Sequence, residues 1–214
     1  MSVPTPTEAG HAPEPSPAEG EAGLAVASPA PAAPSRVRSL IREILETILL
    51  TVIIYVAVNF ATGRYRVEGD SMQPTMHPDQ YVLLDKVSYM IGPPERGDII
   101  VFHYPFSQDR DFIKRVIGLP GETVTIEGGV VRVNGQPLQE PYISAPPQYS
   151  NTWPVPGDEY FVLGDNRNNS SDSHSWGMLK REFIVGRAVV VYWPPNDWRI
   201  VQHYKYPALT PGSN

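Results

Sequence analysis

From Thr47 to Ala61 the sequence reads TILLTVIIYVAVNFA without a charge, and its apolar character begins earlier, at Leu40, Ile41, Ile44 and Leu45. Together these supply the ~20 residues that an α-helix needs to cross a hydrocarbon core. Glu43 and Glu46 interrupt the first turns and would suit an amphipathic core helix. The uncharged part is apolar on every face, however, whereas a surface helix keeps one polar face. The segment is therefore expected to be a single transmembrane helix over residues 39–62. Arg36, Arg38 and Arg42 precede its uncharged part, and only Arg64 and Arg66 follow closely. Because Lys and Arg tend to stay inside, this excess predicts a cytoplasmic N-terminus and an extracytoplasmic remainder.

Residues 1–35 are mostly Pro, Ala, Glu, Gly and Ser, with no Phe, Trp or Tyr. Such a stretch cannot bury enough apolar surface to offset its ordering entropy, which predicts a disordered cytoplasmic tail. Beyond the span the pattern shortens to runs rich in Val, Ile, Tyr and Phe, punctuated by Gly, Pro, Asn and Asp. They are Gln80 to Val87, Asp98 to Tyr104, Phe112 to Ile117, Thr123 to Ile126, Val130 to Val133, Tyr160 to Leu163 and Ile184 to Trp193. These predict strands. Gly128-Gly129 and Asn134-Gly135 are hairpin-turn signals, and Met178 to Phe183 could make one or two helical turns. The expectation is a mostly β domain over residues 63–206, with 207–214 as a flexible C-terminus. Tyr192 to Trp198, rich in aromatics and proline, suits either a strand end that closes the core or an interfacial anchor.

A formal net charge of −6, with no Lys/Arg cluster in the domain, argues against a nucleic-acid partner. With no cysteine, neither disulfides nor thiolate metal sites can form. Asp85, Glu95, Asp98, Asp109 and Asp111 are spread over separate runs without ligand spacing, so no metal and no cofactor is expected.

Chemistry points to Ser71, in the turn Val67-Glu68-Gly69-Asp70-Ser71-Met72-Gln73-Pro74-Thr75-Met76. A serine hydroxyl needs a base within hydrogen-bond reach to act as a nucleophile. His11, His77, His103, His174 and His203 are candidates, and spacing alone does not exclude His77 or His174. Lys114 is the other, because Phe112, Ile113, Val116 and Ile117 offer apolar surface that disfavours an ammonium and lowers its pKa.

Four ordered stretches carry a resemblance. Gly69 to Thr75, Arg96 to Phe102, Ile113 to Glu122, and Gly164-Asp165-Asn166-Arg167 with Ser170 and Asp172 look like the blocks of bacterial type I signal peptidases. The similarity runs from about Ser39 to Trp193 in the family's order. It implies a signal-peptidase/LexA-like β domain and a Ser/Lys dyad, with Ser71 as nucleophile and Lys114 as general base. It also implies an oxyanion donor at the Ser71 N–H, a Ser170 hydroxyl that aims the Lys114 amine, and a supporting Asp165/Arg115 pair. Some members add a serine donor two positions before the nucleophile, where this chain has Gly69. The family's usual arginine partner of Asp172 is here His174, whose imidazole can pair with the carboxylate when protonated. By the same resemblance, Val67, Met72, Met76, Phe112 and Ile113 would line shallow pockets for small side chains.

The implied activity is a membrane-bound endopeptidase that removes signal peptides from exported preproteins. Its implied place is the outer face of the bacterial plasma (inner) membrane, close to the protein export translocase, with the lipid bilayer as its other partner. Two other readings stay open: a self-cleaving repressor-type Ser/Lys peptidase of the same fold, and a catalytically inactive membrane-anchored β binding module.

Overall fold

A computed structural model describes residues 36–206. The expected tail over 1–35, the C-terminal 207–214 and His11 lie outside the described residues. Helix α1 (Arg36–Ala61) runs 26 residues, about 39 Å at 1.5 Å per residue. Its most apolar window has a mean hydropathy of 2.2 and none of its residues is buried, so by length and composition it can cross a membrane. Arg42 pairs with Glu46 one turn on, at 3.4 Å, which offsets one of the two glutamates that interrupt the apolar run.

The elements that follow are β1 (Thr62–Arg66), β2 (Tyr81–Asp85), the one-turn α2 (Ser88–Ile91), β3 (Ile99–Tyr104), β4 (Ser107–Gly118), β5 (Thr123–Glu127), β6 (Val130–Val133), β7 (Gln136–Pro137), β8 (Asn151–Pro154), β9 (Glu159–Leu163), the one-turn α3 (Ser173–Trp176), β10 (Leu179–Lys180), β11 (Ile184–Trp193) and β12 (Arg199–Ile200). The main sheet has the order β1-β2-β11-β3-β4-β9-β10, with β12 on β11, and a smaller one has the order β7-β6-β5-β8. Every pairing is antiparallel.

Strand β3 shows why an unbroken apolar run forms here. Ile99 and Val101 enter one cluster with Val67, Met72, Met76, Val82 and Leu84, while Ile100 and Phe102 enter another with Val116, Tyr160 and Val162. A strand buried on both faces has no polar alternation to show. The small sheet packs through Ile117, Val124, Ile126, Val131, Val133, Phe161 and Leu163.

All seven expected strands form. Both turn pairs adopt left-handed backbone, with φ of 58° and 78° at Gly128 and Gly129 and of 49° and 79° at Asn134 and Gly135, as two-residue hairpins require. Three points differ. Met178 to Phe183 makes the short strand β10 and a 3₁₀ turn at Arg181–Phe183. Strands β1, β7, β8 and β12 lie outside the expected runs, because edge strands such as Thr-Gly-Arg-Tyr-Arg bury little and carry polar residues. Trp193 and Trp198 are 52% and 63% exposed, so they do not close the core.

Candidate active site

Strand β4 delivers Lys114 and Arg115. In the β3/β4 ladder Lys114 lies opposite Ile100 and Arg115 opposite Ile99. Ser71 comes from the turn between β1 and β2. That turn is shaped by Gln73 N–H donating to Asp70 O at 3.1 Å and Met76 N–H to Met72 O at 2.9 Å. The two side chains meet: Lys114 Nζ lies 2.8 Å from Ser71 Oγ and 2.8 Å from Ile113 O. Lys114 is 3% exposed. Burial pulls its pKa down from 10.5 to about 8, and the carboxylates of Asp172 and Asp165 only partly oppose the drop. Desolvation wins because a lone ammonium in an apolar setting loses more hydration than distant carboxylates return.

None of the described histidines bonds to Ser71. His103 Nδ1 lies 2.6 Å from Asp111, His174 Nδ1 lies 2.6 Å from Asp172, and His203 Nε2 contacts Ala188 O at 2.9 Å. His77 is exposed, and its backbone N–H donates to Gln80 Oε1 at 3.1 Å.

The stretch after β9 cross-braces the nucleophile. Asn166 N–H donates to Ser71 O at 3.0 Å and its amide to Asp70 O at 3.2 Å. Asp165 takes Arg115 Nε at 2.8 Å and Nη2 at 2.7 Å, and also accepts the Thr75 hydroxyl at 2.5 Å. Arg115 and Asp165 are both fully buried. Gly164 N–H donates to Asp172 Oδ2 at 2.9 Å. Gly164 must be glycine for a steric reason: a Cβ there would lie 2.4 Å from Ser71 O and 2.3 Å from Ser170 Oγ. His174 stacks on Tyr149 with ring centroids 4.1 Å apart while it holds Asp172.

Two expectations are corrected. Ser170 Oγ is buried without a hydrogen bond among the described residues, so the expected bond to Lys114 is not made. The amine turns instead to Ile113 O, and the Ser170 hydroxyl packs against Gly164. Met72 and Met76 are 0% exposed and belong to the core under the turn. Their i, i+4 spacing in a helix-like turn puts both on its inner side. Met76 instead contributes to a cavity of about 390 Å³ behind the turn, with Pro74, Thr75 and Arg199.

The cleft in front of Ser71 has a volume of about 910 Å³, and Val67, Gly69, Phe112, Ile113 and Lys114 are among its walls. It lies between β1 and β4, which do not pair with each other in the sheet. Across it Tyr65 faces Asp111; burial first, and then that carboxylate, raise the phenol's pKa. Among the described residues no three His, Asp or Glu side chains gather so as to hold a metal ion. The Ser71 N–H donates to no protein acceptor among the described residues and borders the same cleft. Such a site can activate a hydroxyl without a metal and offers a backbone donor for a developing oxyanion.

Sequence reading missed Thr75 and Asn166 as braces, although both stand inside the motifs that drew attention to the site. It also missed Glu140 and Tyr142. Glu140 accepts the buried Arg167 at 2.7 Å and the Tyr142 hydroxyl at 3.1 Å, and no local signal marks either residue.

The chain is similar to known proteins. A family model described as "Signal peptidase, peptidase S26" matches residues 40–193. The chain is 52% identical over 146 residues to signal peptidase I of Leptolyngbya laminosa, a match covering 64% of this chain and 70% of that protein. It is 43% identical over 168 residues to probable signal peptidase I-1 of Synechocystis sp. (strain ATCC 27184 / PCC 6803 / Kazusa), covering 74% and 85%. A crystal structure of a signal peptidase I from Enterococcus faecalis V583 is 34% identical, covers 45% of this chain and 97% of that one, and superposes with a TM-score of 0.42.

Proposed function

The chain belongs to the signal peptidase family, peptidase S26, and from that premise we propose how its own residues remove signal peptides from exported preproteins. It is a membrane-anchored serine peptidase. In this reading neutral Lys114 accepts the Ser71 proton as Oγ attacks the carbonyl at the end of the signal peptide. The Ser71 N–H takes the oxyanion, the lysine ammonium protonates the departing amine, and water releases the acyl-enzyme by the same base. The observation that supports this most is the 2.8 Å approach of the amine of Lys114, a residue only 3% exposed, to the serine hydroxyl. Val67, Phe112 and Ile113 are the side chains placed to reject bulk before the cut, where each surplus methylene costs about 1–3 kcal/mol.

A lysine with a pKa of about 8 is neutral in about one molecule in ten at pH 7. The value of kcat/KM on an Ala-x-Ala peptide in detergent should therefore rise with pH and level off above about 8. Ser71→Ala and Lys114→Ala should both be inactive. A limb near the ~10.4 of free lysine, or cleavage by either variant, would remove the dyad.

The three arginines in the first turns of α1 support a cytoplasmic N-terminus, with the catalytic domain outside and beside the export translocase that delivers its substrates. Protease added to intact spheroplasts should digest the domain; its protection there would reverse the orientation.

A further inference from the structure

Arg115 stands next to the proposed base on β4, and its surroundings have a side the catalytic motifs do not supply. Its Nε and Nη2 go to Asp165 and its Nη1 to Gly97 O at 2.9 Å. The guanidinium also faces two rings. Cζ lies 3.9 Å from the centroid of Tyr142 and 5.4 Å from that of Tyr204. These rings are 4.9 Å apart and inclined at 47°, so they form a corner over the cation.

Neither ring belongs to an element that carries the dyad. Tyr142 lies between β7 and β8, and Tyr204 lies in the segment after β12, beyond the residues 40–193 that the family model matches. That segment is firmly seated. Val201 N–H donates to Val189 O at 2.9 Å, His203 bonds Ala188 O, and the Tyr206 hydroxyl is 2.9 Å from both Gln139 O and the Tyr142 hydroxyl. A Cβ on Gly97, whose φ is +91°, would stand 2.0 Å from Tyr204 O. The segment can approach only because that position is glycine, and the same glycine's carbonyl accepts Arg115.

We propose that Tyr142 and Tyr204 are positioning residues for peptide cleavage: their rings cap Arg115, keep it paired with Asp165, and so keep the Asp165 charge from reaching Lys114. The inference rests on Lys114 being the base. Lys114 is faced by Asp172 and Asp165, both of which favour its protonated form. Arg115 is faced by Asp165, Tyr142, Tyr204 and Tyr206, and Arg167 Cζ lies 5.8 Å from the centroid of the Tyr142 ring. The Tyr142 phenol stays neutral, its pKa raised chiefly by burial, so the ring acts through its π face and not as a charge. With one ring gone, the pair loosens, Asp165 is less neutralised, and Lys114 holds its proton to higher pH.

The test uses the full chain in detergent and follows kcat and KM separately against pH. Tyr204→Ala should move the rising limb up by about 0.5–1 pH unit and lower kcat at pH 7 by about 3–10-fold, with KM unchanged. Tyr204→Phe, which keeps the π face, should match the wild type. A folded Tyr204→Ala enzyme with an unmoved limb, or a Phe variant shifted as far as Ala, overturns the proposal. Should Tyr204→Ala lose its cooperative unfolding transition, Tyr204→Leu takes its place, and a wild-type limb there is equally fatal. Lys114→Ala separates the two levels. If it is inactive while the Tyr204 limb stays put, this inference alone fails; if it cleaves, the base assignment fails as well.

Discussion

Lys114→Met should abolish cleavage and at the same time make the folded domain more stable. The loss of activity is expected to be at least about 10⁴-fold, because the only group that can take the serine proton has gone. The gain in stability follows from linkage. Lys114 has a folded pKa of about 8 against 10.5 in the unfolded chain, since burial disfavours its ammonium. Between those values the unfolded state binds more protons, so wild-type stability rises with pH across that window. Below about pH 8 the full penalty stands, and above 10.5 it is gone. At pH 7 it amounts to about 3 kcal/mol at 1.36 kcal/mol per unit. A methionine of similar reach has no charge to desolvate. The urea midpoint of the variant should therefore exceed that of the wild type at pH 7, with the difference closing by about pH 10.5. Equal midpoints at pH 7 would mean that burying this lysine costs nothing, and the argument for a neutral base would lose its energetic ground.

Asp165→Ala should have the largest effect in the opposite direction. Arg115 and Asp165 are both 0% exposed, so the substitution leaves a guanidinium without its counter-charge and a Thr75 hydroxyl without its acceptor. Removing one partner of a buried pair costs about 3–5 kcal/mol, a large share of the 5–15 kcal/mol typical of a domain. A second variant separates stability from function. In Asp165→Leu/Arg115→Met both charges go together, and much of the lost stability should return, because a buried pair is close to neutral against an apolar replacement. Activity should stay low, because Thr75 and the Ser71 turn still lack their brace. If the double variant recovered cleavage along with its melting temperature, Asp165 would be a stability element only, and the turn would be held by Asn166 alone.

The parts of the site that were readable in advance are those with a local signature. The strands announce themselves through β-branched and aromatic runs, as in Ile99–Tyr104, because burying both faces leaves no polar residue in the run. Ser71, Lys114, Arg115 and Asp165 were readable because they stand in ordered, spaced motifs. Met72 and Met76 were misplaced in the pocket for a definite reason. Adjacency to a nucleophile says nothing about which side of a turn faces the cleft, and here the turn directs both inward at 0% exposure. Ser170 was given a partner that the packing of its hydroxyl against Gly164 denies it. Tyr142, Tyr204 and Glu140 had no signature at all, because they act through contacts between segments far apart in sequence.

The sequence by itself determined a span long enough to cross a bilayer, a mostly β domain after it, and a serine and a lysine in recognisable settings, because helix length, β-branched runs and turn chemistry are short-range properties of the chain. Only the tertiary structure decided that the amine and the hydroxyl meet at 2.8 Å and that the amine is dry enough to lose its proton near pH 8. Desolvation is a property of everything packed around a group, and what packs around Lys114 comes from the nucleophile turn, from neighbouring strands and from the stretch after β9, which no local window of sequence contains.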